Sequence, residues 1–442
     1  MPSRTGPGQP RPLSRRDFLA TASAAAGGLV LAGCARNPVT GKSQLMLVDE
    51  GDERAIDKEQ SPHQFSEDFG TVQEPRVNQY VQTVGRALGA KSHRPNVPYS
   101  FRVVEASHVN AYAFPAGSIA CTRGILLSLD DEAQLAALFG HEVGHVSARH
   151  SAARMSQSLL IQAAVAGTAV AVAVKDKRYA PIAGAVGALG SGLLLAKYSR
   201  DDERQADALG LEYMVRCGYN PDGMTGLMGM LTSLHEEEPS KLQLMFATHP
   251  MGRERLENAQ RAIREHYAAC GGYPRNRERF MDETAPMRRF KPVVEAIQKG
   301  DKALADGKPE AAAPHYQAAL KAVPDDYEAL VKMSRCLLLQ KQTKEAKVYA
   351  ERAKAVKPGE AQALAAMGLA SFQMKDFASS HAAFEAYQKL LPGNPGMYFL
   401  DGYSLDQLGR RKEAAVLYQR YLDTGAADEA AAVAQKRLAA LQ

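Results

Sequence analysis

Residues 131–145 read Asp-Glu-Ala-Gln-Leu-Ala-Ala-Leu-Phe-Gly-His-Glu-Val-Gly-His. Ala133, Leu135, Ala136, Leu138 and Phe139 recur at helical steps, and no proline interrupts the run before His141. On that helix His141 and His145 lie one turn apart on one face, about 5 to 6 Å between Cβ atoms. Two imidazoles so placed converge on one ion at about 2.0 to 2.1 Å each, which is zinc geometry. Glu142 stands beside them, where it can accept a proton from water in an open coordination position and return it to a leaving amine. The stretch therefore predicts a helix that carries a metal and a base for hydrolysis.

A tetrahedral ion needs more than two imidazoles, and the chain downstream offers carboxylates. Asp202-Glu203-Arg204-Gln205-Ala206-Asp207 places Glu203 and Asp207 one turn apart in a helical context. Glu203 as third ligand, with Asp207 accepting a hydrogen bond from a ligating histidine, fits the rule that metal ligands are oriented from behind. The alternative is a solvated acidic helix face. Upstream, Asp49 to Gly89 has helical periodicity, with Val77, Tyr80, Val81, Val84 and Leu88 in step. Tyr99 to Val104 reads as a strand, and Ala111 to Leu126 as two extended runs about a Pro-Ala-Gly turn. Two Ala/Gly-rich apolar stretches, Leu159 to Val174 and Ala180 to Ala196, flank Lys175 to Tyr179 and predict a buried helical hairpin, with a membrane-apposed one as the alternative. His150, five residues beyond His145, leaves the ligand face and reads as a surface or packing histidine.

Beyond residue 290 the chain repeats. Pro324, Pro358 and Pro392 are 34 residues apart, and Gly300, Ser334, Gly368 and Gly402 keep the same phase. Ala312, Ala346, Ser380 and Ala414 align, as do Tyr316, Ala350, Phe384 and Tyr418. Small residues let paired helices approach closely, and the proline ends the second helix. Four tetratricopeptide-like repeats over about 293–426 follow, with a capping helix from Ala427 to Leu441.

The N-terminus reads as an address. Ser14-Arg15-Arg16-Asp17-Phe18-Leu19 precedes a weakly apolar stretch to Leu31 and resembles a twin-arginine export signal. Leu31-Ala32-Gly33-Cys34 resembles a lipobox, in which Cys34 takes lipid and anchors the chain to a membrane at about 0.8 kcal/mol per buried methylene. Cys121, Cys217, Cys270 and Cys336 form no CxxC pair, which argues against a zinc ribbon. A formal charge of +5 over 442 residues gives no reason to expect nucleic acid as a partner. The expected division is a signal peptide over 1–33, a lipidated tether over 34–48, a metallopeptidase domain over 49–285 and the repeats over 290–442.

His141-Glu142-Val143-Gly144-His145, Tyr198-Ser199-Arg200 with Glu203 and Asp207, and Thr248-His249-Pro250 with Arg255 together resemble the gluzincin metallopeptidases that include HtpX and the CAAX prenyl endopeptidase. Asn37 to Gln44 and Asn110 to Leu126 are similar to the exported members, and the repeat tail gives the architecture of BepA-like periplasmic proteases. The resemblance implies an α+β, mainly helical zincin-type domain with a small sheet, followed by an all-α solenoid. It implies one Zn2+ per chain on His141, His145 and Glu203. It also implies that substrate backbone joins the strand around Asn110 to Ile119, with Asn110, Ala111 and Tyr112 as substrate-binding residues. His249 would approach the metal in a latent state or steady the oxyanion, with Arg255 holding its loop. Gln205 departs from the pattern, since many relatives carry glutamate there.

The function expected is zinc-dependent cleavage of misfolded or stalled envelope proteins. The repeats would dock unfolded or partly folded clients or the outer-membrane assembly machinery. The enzyme would sit on the periplasmic face of a membrane; inner and outer both stay open, with Ala35, where enteric bacteria use aspartate for inner-membrane retention, favouring the outer. The rivals are a chaperone-like adaptor with a latched or inactive metal site, and an integral-membrane peptidase built on Leu159 to Ala196.

Overall fold

The computed structural model describes residues 34–166, 198–237, 243–250, 252–426 and 428–441. The expected leader lies outside them, as does the apolar hairpin beyond residue 166. Where the sequence suggested a tether at 34–48, β1 (Cys34–Arg36) pairs antiparallel with β2 (Ser43–Leu45). Asn37 shapes the turn between them by accepting from the Val39 and Thr40 amides, and its own amide reaches the Ala148 carbonyl. This hairpin is docked on the body rather than loose.

The periodic stretch after Asp49 divides in two. Asp49 caps α1 (Glu50–Glu67) through a reciprocal capping box with Asp52, and Pro75 opens α2 (Pro75–Ala90). Next come β3 (Ser100–Val104), β4 (Ala111–Ala113), β5 (Ser118–Thr122) and α3 (Arg123–Ser128). The three strands order as β3-β5-β4, with β3 parallel and β4 antiparallel to β5. β4 is thus an edge. Phe114 donates to the Ser118 carbonyl and Thr122 to that of Asn110, so Tyr112 also faces β5. The pleat then turns the backbone groups of Ala111 and Ala113 outward.

Asp131 caps α4 (Glu132–Ala148) by accepting from the Gln134 amide, and every residue of that helix is buried. A helix apolar or small on all sides needs neighbours all round. The sheet and α2 cover one side. On the other lies α6 (Arg200–Arg216), started by Ser199, beyond α5 (His150–Ala166). α4 and α6 meet backbone to backbone. A Cβ on Gly140 would lie 2.9 Å from the Gly210 carbonyl oxygen, and one on Gly144 would lie 2.9 Å from that of Ala206. Only residues without a side chain permit that approach. The peptidase body is completed by α7 (Asp222–Glu237), α8 (Gln243–Thr248), α9 (Arg253–His266), α10 (Arg277–Glu283) and α11 (Ala285–Arg288).

The solenoid follows as helix pairs: α12 (Lys291–Ala305) with α13 (Pro309–Ala322), and α14 (Tyr327–Leu339) with α15 (Thr343–Val356). After them come α16 (Ala361–Gln373) with α17 (Phe377–Leu390), α18 (Pro395–Gln407) with α19 (Arg411–Asp423), and the last helix α20 (Glu429–Leu441). The 34-residue period has a steric cause. Gly300 seats the ring of Tyr316 and Gly368 that of Phe384, where a Cβ would approach within 2.5 and 2.4 Å. The fold is therefore an α+β body with a small sheet, followed by an all-α repeat array.

Candidate metal centre

Helix α4 holds His141 and His145 on one face, and the glycine contact with α6 brings Glu203 against them. His249, at the end of α8, closes the group; its amide donates to the Met245 carbonyl at 2.7 Å. His141 Nε2 lies 3.1 Å from His145 Nε2 and 3.4 Å from His249 Nδ1. Glu203 Oε1 lies 3.3 Å from His145 Nε2 and 3.0 Å from His249 Nδ1, and its Oε2 lies 3.6 Å from His141 Nε2. Donors around a tetrahedral ion bound at about 2.0 to 2.1 Å stand about 3.3 to 3.4 Å apart. The observed separations bracket that value, and all four side chains are buried. The residues present therefore fit zinc.

The surroundings orient these donors. Asp207 Oδ1 lies 2.9 Å from His141 Nδ1, which leaves Nε2 facing the cluster. Arg255 binds Asp207 twice, at 2.7 Å each, and approaches Glu203 Oε2 at 2.6 Å. Its NH1 also donates to the Pro250 carbonyl, fixing the loop after His249. Tyr198 stacks on the His145 ring at 3.8 Å between centroids and donates its amide to the Thr248 carbonyl.

Charge is arranged accordingly. Burial opposes ionisation of Glu203, yet His249, His145 and His141 together hold its carboxyl far below the usual range. Burial likewise opposes ionisation of Asp207, and Arg255 with His141 outweighs it. Burial holds His145 in its neutral, ligating form, well below the ordinary imidazole range. Glu142 differs from the other acids. Burial pushes its carboxyl up despite His249 and His141 nearby, and neither of its oxygens has a hydrogen-bond partner among the described residues. An orphaned buried carboxylate next to four converging donors suits a centre completed by an ion and solvent.

The sequence reading placed His150 outside the site, and the structure corrects that. Arg149 takes a left-handed conformation (φ 59°), held by Glu53 and the Val48 carbonyl, and ends α4 before α5 sets off in a new direction. His150 is thereby turned back, with Nδ1 2.9 Å from His145 Nδ1 and Nε2 2.9 Å from Gln205 Oε1. If Nε2 of His145 faces the ion, its Nδ1–H donates to His150, which donates onward to Gln205. The departure at Gln205 thus lies directly behind a candidate ligand.

The remaining candidates are spread around this centre. Asn110 is buried, with Oδ1 unpartnered. Tyr112 points its hydroxyl away from the cluster to Asp68 Oδ2, at 2.6 Å. The edge turned away from β5 belongs to buried Ala111 and half-buried Ala113, both within the run Asn110 to Ile119. Cys34 starts β1. Cys121, Cys217, Cys270 and Cys336 are all free thiols.

Comparison with known proteins adds two matches along the chain. Residues 75–263 match the sequence profile described as Peptidase family M48, and residues 303–369 match that of the tetratricopeptide repeat. A putative beta-barrel assembly-enhancing protease of Vibrio cholerae is 27% identical over 200 residues, which is 44% of this chain and 41% of that protein. The beta-barrel assembly-enhancing protease of Yersinia pestis is 28% identical over 194 residues, 43% of this chain and 39% of the relative. Metalloprotease YcaL of Escherichia coli is 28% identical over 197 residues, 44% of this chain and 75% of its own. The match spans less than half the length of the two assembly-enhancing proteases.

Proposed function

From the premise that the chain joins a domain of the zinc-dependent peptidase family M48 to tetratricopeptide repeats, we propose that it is a zinc metalloendopeptidase cleaving misfolded or stalled proteins of the bacterial envelope. The observation that carries this is the convergence of His141, His145, Glu203 and His249 on one point, with the unpartnered Glu142 beside it. In this reading His141, His145 and Glu203 hold one Zn2+ per chain, and Asp207 fixes the tautomer of His141. Bound zinc would supply Lewis-acid polarisation of water and of the scissile carbonyl. Glu142 takes the proton of the attacking water and hands it to the leaving amine. Substrate lies extended along Ala111 and Ala113, as an added strand above α4.

His249 reads as a latch. With it in place four protein donors face one point, which closes the corner that a catalytic site keeps open. Arg255 holds the latch loop through Pro250 while neutralising Glu203 and Asp207. The same closed arrangement favours the second reading, an adaptor whose metal site stays latched. Glu142→Gln separates the two: zinc and fold should persist while cleavage of an unfolded outer-membrane protein disappears. If the parent has no cleavage for that change to remove, even after His249→Ala, the adaptor reading replaces the peptidase one. Loss of zinc from His141→Ala, measured on the mature protein, tests the ligand set itself.

The cellular setting is part of the proposal. Cys34 would carry the lipid, placing the peptidase domain (49–285) and the repeats (290–442) on the periplasmic face of the outer membrane. Among the described residues no helix is long and apolar enough to cross a membrane. The repeat domain would dock outer-membrane assembly machinery, a reading in keeping with the two relatives' names, which speak of beta-barrel assembly.

A further inference from the structure

We infer that the repeat solenoid is a positioning element of the peptidase: Glu328 and Lys357 grip both backbone segments that fix β4, the strand proposed to receive substrate. The inference rests on that reading of β4 and assigns it a new control.

The first segment is the run 105–110 that leads into β4. Glu328, at the start of α14, accepts from the Ser107 amide at 3.1 Å and from its hydroxyl at 2.6 Å. Gln298 of α12 donates to the Ser107 carbonyl at 2.7 Å. Lys357, beyond α15, lies 2.7 Å from Glu105. The second segment is the turn 68–71. Lys357 Nζ donates to the Phe69 carbonyl at 3.3 Å and to the Thr71 carbonyl at 2.9 Å. Phe69 adopts φ 66°, and its ring enters the solenoid beside Tyr327, Lys332 and Arg335. The residue before it, Asp68, receives the hydroxyl of Tyr112, at the middle of β4. Repeat-domain side chains therefore reach β4 both along its backbone and through its central side chain.

These grips are buried. Glu328 is 0% and Arg123 2% exposed. Arg123 donates at 2.9 Å to Oε2, the oxygen that also accepts from the Ser107 hydroxyl, while binding Asp326 at 2.6 and 3.0 Å, and Lys332 contacts Oε1 at 3.3 Å. An ionised carboxylate offers about four lone-pair positions, and Glu328 has four partners for them. A saturated, water-excluded carboxylate has little freedom, so movement of α14 must carry Ser107 with it. A tether whose only task was to keep a docking module nearby would need no hold on the strand's entry.

The test uses the full mature chain. Ser107→Ala and Gln298→Ala each remove one grip and leave the buried charges paired. With an unfolded protein substrate each should raise KM about fivefold, from one lost hydrogen bond, with kcat and zinc content at parent values. Amide exchange over residues 106–113 should quicken by more than exchange elsewhere in the chain, which separates the local release from the small global loss of stability that one buried hydrogen bond brings. Glu328→Gln should give a larger effect of the same kind; since it leaves Arg123 and Lys332 short of a counter-charge and can lose the fold, the two milder variants decide. Parent KM together with parent exchange rates over 106–113 in both would overturn the inference while leaving the peptidase reading intact. Absence of cleavage by the parent would count against that reading instead, and the exchange rates would still judge the coupling.

Discussion

Gly210→Ala tests whether the metal centre depends on the distance between α4 and α6. The added methyl would lie 2.7 Å from the His141 amide nitrogen and 2.9 Å from the Gly140 carbonyl carbon, both backbone atoms that no rotamer change can move. Ordinary contact begins near 3.4 Å, so the helices must separate by about 0.7 Å at this point. Metal-ligand distances tolerate about 0.2 Å, and Glu203 sits two turns along the same helix. Overpacking of this kind costs about 1 to 3 kcal/mol, partly offset by the helix preference of alanine, worth about 0.5 to 1 kcal/mol. Gly229→Ala is the control. It sits within α7 with no atom inside 4 Å of the added carbon, and should be neutral or slightly stabilising. Urea denaturation of the zinc-free and zinc-loaded proteins, with a chelator competition for zinc, measures both effects. Gly210→Ala should lose stability by about 1 to 2 kcal/mol and weaken zinc at least tenfold, removing at least about 1.4 kcal/mol of the zinc-linked stabilisation. Parent zinc affinity in a folded Gly210→Ala protein would refute the dependence on helix spacing.

Three further outcomes follow from the same structure. Arg255→Ala strands the buried carboxylates of Glu203 and Asp207 and should cost about 3 to 5 kcal/mol in the zinc-free protein; an unchanged urea midpoint would contradict that. His249→Ala should retain zinc and increase cleavage of an unfolded outer-membrane protein, and no gain would dismiss the latch. Burial pushes the Cys121 thiol up to about 12, so at pH 8 only about one molecule in ten thousand carries the thiolate. Alkylation followed by mass spectrometry should mark the partly exposed Cys270 well before Cys121 in the native protein, and equal rates would show that the Cys121 pocket opens.

Much of the architecture was legible because it repeats or is local. The helix under His141 and His145 follows from its apolar spacing and the lack of an interrupting proline, and the solenoid from a glycine or serine every 34 positions, faced by a ring in three of the four repeats. The hairpin about Pro115-Ala116-Gly117 was equally local, although its second run stops at Thr122 and the residues from Arg123, read as extended, begin α3 because Thr122 caps that helix. Glu203 and Asp207 were harder, since spacing alone left a solvated acidic face open and only the resemblance chose between the two. His150 was missed for a definite reason: its direction depends on the left-handed Arg149, which is stabilised by Glu53 and Val48 about a hundred residues upstream. Ala113 lay inside the run Asn110 to Ile119 but was not named individually, because which strand residues turn away from β5 depends on the pairing parity. The grip of Glu328 on Ser107 spans 221 positions and has no period or motif to announce it.

The unpaired edge of β4, with Ala111 buried and Ala113 half-buried, carries one more implication. Once uncovered, its two alanines would offer main-chain donors and acceptors and almost no side-chain surface, so whatever is captured there would be judged by its spine. A closed barrel wall has no loose rung to lend, whereas a strand still waiting for its neighbour does. Discrimination would then fall on how finished a client is rather than on which residues it contains. Peptides N-methylated at alternate positions, stripped of the amides such a rung needs, should pass uncut while their unmethylated twins are cleaved.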